Sequence, residues 1–344
     1  MIIAIQPDNY TNPSTPDRLD ASSPLWAAAL QKAGHEVRWV NVYHAGLLDQ
    51  LAGCHGFMWR WGHFGGMAPI ARRLIPVVEK HLRLAVYPNW NTCWHYDDKV
   101  TQAWLLPAAG IPSPKTWVWF EPEAARTWAR RAQYPLVLKL SSGAGSNNVT
   151  LVRNFTEASD WIYRLFSLGA FDLTPATVQP WGWRRRLRGA VKSLWMGRPL
   201  TERWPEDREW HKSYVLFQEF LPANGFDTRV TVIGNRAFAF RRFNRDNDFR
   251  ASGSGKIDWN PEAINLEFIK LAFSVADKLQ TQSVAIDGLY QEGKPAVLEI
   301  SYTYSSWAVQ KCSGHWDRSL RWNAGSMWPE DAQVEDYMVQ LANP

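Results

Sequence analysis

VAIDGLYQEGKPAVLEIS (residues 284–301) consists of two apolar runs, each broken by a single carboxylate, around a polar centre. The pattern reads as a β-hairpin, with Glu292, Gly293 and Lys294 supplying the turn. With those three in the loop, Gln291 faces Pro295 and the register places Asp287 opposite Glu299. Like charges directly opposite destabilise a sheet, so two carboxylates on one apolar face ask for a cation. Oxygen ligands without His or Cys favour Mg²⁺, which keeps waters and takes phosphate oxygens as its other ligands. A register slip that separates the acids, or partnering by nearby arginines, is the competing reading.

Upstream, PLVLKL (residues 135–140) places Lys139 inside a run that otherwise reads as a buried strand. An ammonium there is desolvated at substantial cost unless an anion meets it; the alternative is a lysine on the solvent face of an edge strand. SSGAGSNN (residues 141–148) then offers small residues whose backbone N–H groups can close on phosphate oxygens. It has neither the Lys-Ser/Thr pair nor the directly following helix of a Walker loop, and a plain hairpin turn is its bland reading. Further cations follow as Arg229, Arg241, Arg242, Arg245, Arg250 and Lys256. Arg241 and Arg242 point to opposite faces of one strand, so at most one faces a ligand. FRASGSGK (residues 249–256) pairs Arg250 with small residues, an anion contact for a substrate or a γ-phosphate.

The chain before and around these motifs divides by pattern. IIAIQ (residues 2–6) is a short strand, and Ser23 N-caps a helix with Pro24 in its first turn, turning Leu25, Trp26, Ala29 and Leu30 inward before Gly34 ends it. HEVRWVNV (residues 35–42) alternates like a strand, residues 69–81 form a helix, and LAVYPN (residues 84–89) returns to the sheet. Strand–helix–strand order predicts a small parallel sheet with helices over it, ending near residue 97. Helix 98–109 stops at Gly110 and the prolines beyond. TWVWF (residues 116–120) starts a region of strands with an intervening helix, opened by Thr156 and ended by Gly169. Residues 172–212 are an irregular, basic, Trp-rich insert. Three strands follow, YVLFQEFL, TRVTVIG and RAFAFRRF, and then a helix from Asn260 to about Gln280 with Ile264, Phe268, Leu271, Val275 and Leu279 inward.

Composition narrows the classes. The 344 residues suit two or three packed lobes, and 46% apolar against 21% charged residues predict a globular chain. The net charge of +5 is modest and concentrated near the insert, and no zinc-finger spacing or ribonucleoprotein motif supports nucleic acid as a dedicated ligand. Cys54, Cys93 and Cys312 are too scattered for a disulfide framework. The 21 tryptophans read as core filling, with aromatic platforms for sugars as the rival. MIIAIQPDNY has no basic leader with an apolar stretch, and no run of 18 apolar residues occurs, so the expected location is the cytoplasm.

In their order, these motifs resemble the ATP-grasp superfamily, nearest its carboxylate–amine and glutamate-ligase-like branch. YDDKVTQAWLLPAAGIPSPKTW (residues 96–117) resembles the segment entering the nucleotide-binding half, with Lys99 on phosphate. PLVLKLSSGAGSNNV resembles the second lysine strand and flexible loop, with Lys139, Ser141, Ser142, Gly143 and Gly145 around the phosphates. VLFQEFLPANGFDTRVTVIG (residues 215–234) resembles the hinge, so that Gln218, Glu219 and Leu221 would meet adenine and Asp227 the ribose. FNRDNDFRASGSGK (residues 243–256) resembles the substrate-side arginine segment, with Arg250 steadying an acyl-phosphate and Arg242 in support. The hairpin resembles the metal site, with Asp287, Glu299 and Ser301 as ligands.

What the resemblance implies is an α+β fold: two α+β lobes clasping ATP, preceded by a small parallel-sheet α/β domain. The expected boundaries are 1–97, 98–215 and 216–344. The implied activity is ATP-dependent joining of a small-molecule carboxylate to an amine through an acyl-phosphate, with Mg²⁺ bridging phosphate oxygens and a role in cell-envelope or polysaccharide synthesis. A homodimer is common for such folds. Three features favour an alternative, a nucleotide- or glycan-binding protein without turnover: Ser301 where the family commonly has Asn, Ala285 where an arginine often precedes the metal Asp by two, and the tryptophan excess; the usual Pro-Gly after the hairpin is missing as well. Within the insert, Trp181, Trp183 and Arg184 to Trp195 read as a basic amphipathic helix. Residues 181–198 would then rest on an anionic membrane at its inner surface, against the bland reading of a solvated lid or subunit contact. Among the histidines, His211 lies near the hinge and is the one to test.

Overall fold

The computed structural model describes residues 1–8, 21–62, 66–143, 148–171, 173, 209–246 and 248–342. The expected amphipathic stretch 181–198 lies outside the described residues, as does most of the insert. No helix among the described residues is long and apolar enough to cross a membrane.

The first sheet is parallel. It is built from β1 (Ile2–Ile5), β2 (Glu36–Trp39), β3 (Gly56–Met58) and β4 (Ala85–Tyr87) in the order β2-β1-β3-β4. Helices α1 (Ser23–Lys32), α2 (Leu47–Leu51), α3 (Met67–Lys80) and α4 (Trp90–Cys93) connect or follow these strands. Helix α1 buries Trp26, Ala27 and Leu30, a stripe that leaves Leu25, expected inward, exposed. Its first amides, of Ser22 and Ser23, donate to Asp8 at 2.8 and 2.7 Å, so an aspartate from the β1 loop caps it in place of a serine.

After α5 (Lys99–Ala108) comes an antiparallel sheet of β5 (Thr116–Trp119), β6 (Leu136–Lys139), β7 (Val149–Val152) and β8 (Val215–Glu219), ordered β5-β8-β6-β7. Helices α6 (Pro122–Ala129) and α7 (Phe155–Ser167) share a core with Leu136, Leu138 and Leu140. The period of two therefore turns Val137 and Lys139 to the opposite face. Asn154, not Thr156, caps α7: from an extended backbone its short side chain reaches the Glu157 amide.

The third sheet contains β9 (Phe226–Ile233), β10 (Arg236–Phe243), β11 (Ile257–Asp258), β12 (Ser283–Gln291), β13 (Lys294–Ser301), β14 (Gly314–Trp316) and β15 (Trp322–Ala324). Its order is β13-β12-β9-β10-β14-β15, with β11 beside β10. Helix α8 (Leu266–Leu279) packs Phe268, Ile269, Ala272 and Val275 into the core of this sheet. Asn260 caps only the short 3₁₀ turn Pro261–Ala263, and Asn265 opens the helix by accepting from the Glu267 amide.

The 284–301 hairpin reaches the expected facing of Asp287 and Glu299 by a different route. Its turn has two residues, Glu292 and Gly293, both at positive φ (50° and 77°), and Lys294 already pairs with Gln291. A one-residue register shift between Asp287 and Gly288 then restores the Asp287–Glu299 pairing. Beyond α9 (Ser306–Gln310), helix α10 (Pro329–Ala342) returns to the first sheet. There Tyr337 Oη donates to the Ala85 carbonyl at 2.8 Å, and Trp26 Nε1 donates to Gln333 Oε1 at 2.7 Å. Gly56 lies beneath, where a Cβ would run into the Tyr337 hydroxyl.

His95, fully buried between α4 and α5, has neither ring nitrogen hydrogen-bonded among the described residues. Burial pushes its pKa down to about 4. Between pH 6.5 and about 4 the unfolded chain therefore binds a proton that the folded chain refuses, and stability falls as pH falls. Urea unfolding at pH 7 and pH 4.5 should show His95→Leu losing about 2–3 kcal/mol less than the wild type over that interval.

Candidate active site

A cavity of about 260 Å³ lies between the second and third sheets. Period-two alternation brings Val137 and Lys139 to it from β6, while Leu289, Leu298 and Glu299 enter from β12 and β13. The 218–221 segment at the end of β8 forms one wall, and α5 contributes Lys99.

Both lysines are sealed from water, at 6% and 5% exposure for Lys99 and Lys139. Asp98 caps α5 by accepting from the Thr101 amide, which orients the first helical residue, Lys99. Lys99 Nζ lies 3.2 Å from Glu299 Oε1 and donates to the Gly143 carbonyl at 3.0 Å. Burial alone would lower its pKa, but the Glu299 and Asp97 carboxylates outweigh that and hold it above the usual lysine value. Among the described residues Lys139 has no such partner: burial pulls it down to about 8, outweighing the pull of Glu299 and Asp287, with Lys99 adding repulsion. The expectation of an interior Lys139 beside the glycine-rich loop is met in position.

The acids and bases of the third sheet form an alternating row. Arg229 donates Nε and Nη2 to the two oxygens of Asp287 at 2.6 and 2.7 Å. Arg242 donates to both oxygens of Asp227, at 2.8 and 2.6 Å, and its Nη2 also lies 2.9 Å from Asp287 Oδ2. Strand pairing explains the row, because Glu299 faces Asp287, Asp287 faces Arg229, and Asp227 faces Arg242. Burial would raise the Asp287 pKa, but the two guanidiniums dominate and hold it far below the usual carboxylate range. For Asp227 burial prevails over Arg242 and the pKa is raised.

This arrangement corrects several expectations. Both oxygens of Asp287 accept from guanidiniums, so the partnering by arginines weighed as an alternative is what this structure shows. The Ser301 hydroxyl donates to the Thr303 carbonyl at 2.7 Å instead of reaching toward the hairpin acids. No group of three or more His, Cys, Asp or Glu residues suited to a metal occurs among the described residues. Asp287, Glu299 and Ser301 all line the cavity, and Glu299 is the one acid of that pair left without an arginine. Asp227 is a partner of Arg242, buried on the cavity wall, and Arg242 is locked between two aspartates away from the cavity surface.

The remaining predicted residues do gather. Gln218, Glu219 and Leu221 line the cavity. Gln218 Nε2 donates to Thr116 Oγ1 at 3.0 Å, and Glu219 Oε2 accepts from the Lys115 amide and Gln291 Nε2. Arg250 also lines the cavity, with its guanidinium on Asp248 at 2.6 Å. Gly143 lines it as well, at φ 118°, where any Cβ would collide with the Asn148 side chain. Ser141 and Ser142 stand just behind it, and Gly145 lies outside the described residues. Arg229 was read only as part of a cationic run. Asp227 and Arg229, two apart in an apolar strand, carried the signal that both face the same side. Asp97, whose carboxylate takes the Gly143 amide at 2.9 Å and whose pKa burial raises to about 6, had no such signal.

No family model matches the sequence, and no curated protein matches it. Solved structures do match. A RimK-domain ATP-grasp protein from Sphaerobacter thermophilus is 16% identical, with 98% of this chain and 100% of that one covered at a TM-score of 0.52. D-alanine–D-alanine ligase from Bacillus anthracis complexed with ATP is 12% identical, with 100% and 98% covered at 0.55. N5-carboxyaminoimidazole ribonucleotide synthetase from Thermotoga maritima is 14% identical, with 98% and 75% covered at 0.57. With a parallel sheet first, and two further sheets enclosing a cationic cavity, this chain has the ATP-grasp fold.

Proposed function

We propose that this chain is an ATP-dependent ligase that activates a small-molecule carboxylate for attack by an amine. The observation that carries the reading is the burial of Lys99 and Lys139 in one cavity where Lys139 has no anionic partner among the described residues. A polyphosphate supplies the missing charge. Lys99, Lys139 and the Gly143 backbone are the phosphate contacts; Val137, Leu221 and Leu298 offer apolar walls to a purine beside Gln218. Arg250, with Asn244 and Ser252 beside it on the cavity wall, is the candidate for holding the transferred phosphoryl oxygens. Phosphoryl transfer asks mainly for positioning and neutralisation of oxygens. The carboxylate would take the γ-phosphoryl group to give an acyl-phosphate, and the amine would displace phosphate to give an amide. No side-chain nucleophile is required, and no step is assigned to a cation on Asp287.

The Arg229–Asp287–Arg242 contacts and the Ser301 hydroxyl bonded to the Thr303 carbonyl favour a second reading, nucleotide binding without turnover. Incubation with ATP and hydroxylamine across a panel of carboxylates separates the two. A ligase releases ADP and yields a hydroxamate with one class of acid; a binding protein does neither, although calorimetry still registers ATP.

Lys139 gives a pH signature. Its ammonium is present below about pH 8 and lost above it in the free protein, and an anionic ligand favours the charged form. ATP affinity should hold below pH 8 and fall above it by up to about tenfold per pH unit. Lys139→Arg stays charged throughout and should flatten the profile, whereas Lys139→Ala should weaken binding at every pH; calorimetric titrations at pH 7, 8 and 9 read all three.

The two hairpin acids should also separate. Asp287→Asn leaves guanidiniums short of a buried partner and should cost about 3 kcal/mol in urea unfolding, with the Mg²⁺ dependence of ATP binding unchanged. Glu299→Gln should alter that dependence. Loss of the Mg²⁺ dependence in Asp287→Asn would instead show that the arginines let go of Asp287 when nucleotide enters.

A further inference from the structure

Residues 141–143, the first part of the glycine-rich loop, are held from two sides. On one side stand residues of the cation site: the Lys99 amide donates to the Ser141 carbonyl at 2.8 Å, Ser141 Oγ donates to Asp98 at 3.0 Å, and the Gly143 amide donates to Asp97 at 2.9 Å. On the other stand two groups to which the proposed chemistry gives no task. The Ser141 amide donates to Tyr214 Oη at 2.7 Å, Tyr214 Oη lies 2.9 Å from His211 Nδ1, and His211 Nε2 lies 3.3 Å from Ser142 Oγ.

One arrangement of protons in this chain leaves no polar hydrogen unpaired. Because the Ser141 amide can only donate, Tyr214 Oη accepts there; it keeps a second lone pair, but its own proton finds a partner in this chain only at His211 Nδ1. The neutral ring then carries its proton on Nε2 and donates it to Ser142 Oγ. A second proton on the ring would occupy Nδ1 and leave the Tyr214 hydroxyl proton without that acceptor in a buried place. In keeping with this, burial pushes the His211 pKa down and Lys99 adds to that, with Glu209 pulling the other way. His211 is 2% exposed and anchored by its backbone, exchanging hydrogen bonds with Ala170 at 2.8 and 2.9 Å just beyond α7. Tyr214 immediately precedes β8, the strand that leads to the 218–221 wall. The latch thus ties the loop to two elements of the second sheet that do not themselves touch phosphate in the proposed reading.

We propose that His211 and Tyr214 are positioning residues that set residues 141–143 in the conformation that presents the Gly143 backbone to a nucleotide's phosphates. The inference rests on the nucleotide reading for its ligand but not for the latch itself, and two measurements keep them apart. The first is amide hydrogen exchange at Ser141 and Gly143 in the unliganded full chain. The second is calorimetric affinity for ADP and for adenosine, which shares the base and ribose but has no phosphate.

His211→Ala and Tyr214→Phe should each speed Ser141 exchange about tenfold or more and weaken ADP several-fold, with adenosine unchanged. His211→Gln, which keeps an N–H donor for Ser142 and an oxygen to accept from Tyr214, should recover most of the ADP affinity. Equal losses for ADP and adenosine would reduce the pair to ordinary packing and overturn the proposal, as would unchanged exchange in both variants. Faster exchange in variants of a chain that binds neither ligand would uphold the latch and overturn the nucleotide reading. Should His211→Ala fail to fold, Tyr214→Phe removes a single oxygen and reads the same two quantities.

Discussion

Taking an ammonium out of water is expensive unless opposite charge meets it, and this chain does so twice within one cavity. Lys99 is compensated by Glu299 and its neighbours, and Lys139 is not. The two lysines come from different elements, α5 and β6, and Glu299 comes from a third, β13. The uncompensated charge therefore exists only where the second and third sheets meet. An anion entering there gains a contact with each element at once, which is how the proposed polyphosphate would be held.

The third sheet handles its own charges differently. Five charged side chains, Glu299, Asp287, Arg229, Asp227 and Arg242, alternate or adjoin along one face of β13, β12, β9 and β10. Two facing acids alone would repel. The neighbouring strand places Arg229 on the first pairing partner of Asp287, so repulsion becomes a bidentate pair, and Arg242 extends the pairing to Asp227. Such pairs are weak evidence for net stability, but losing one member is costly because its partner stays buried. Through Asp227, Arg229, Asp287 and Glu299 the row lines the cavity, and Glu299 at its end pairs with Lys99.

Much of the fold was legible where pattern and punctuation agreed. Three of the four parallel strands of the first sheet, the Lys139 strand and the apolar hairpin showed pattern with turn residues at their ends, whereas β3, a buried run of three residues, is too short to carry a period. Helix boundaries were less so, since Asn260 and Asn265 are both acceptable caps and only the packing of Phe268 and Ile269 decides where the long helix starts. The return of α10 to the first sheet has no local signal, because it is settled by Trp26, Tyr337 and Gly56 from opposite ends of the chain. In the site, the facing of Asp287 and Glu299 was readable from hairpin arithmetic, though a two-residue turn and a bulge offset one another. Their cation was not. Which arginine reaches an acid depends on the neighbouring strand, and the order β12-β9-β10 is a tertiary fact.

That last point bears on how far an acidic pair can be taken as a metal signature. A hairpin carrying two opposed carboxylates states only that positive charge is needed, and a guanidinium on the adjacent strand meets that need with directional hydrogen bonds and no loss of ligand water. Discriminating the two requires the third strand in the sheet. Here β9 alternates Asp227, Arg229 and Thr231 on the inner face, so an arginine was bound to lie beside whichever residue of β12 fell in register with it. The charge pattern of the strand beside the hairpin, and not the hairpin alone, decides whether a cation must come from solution.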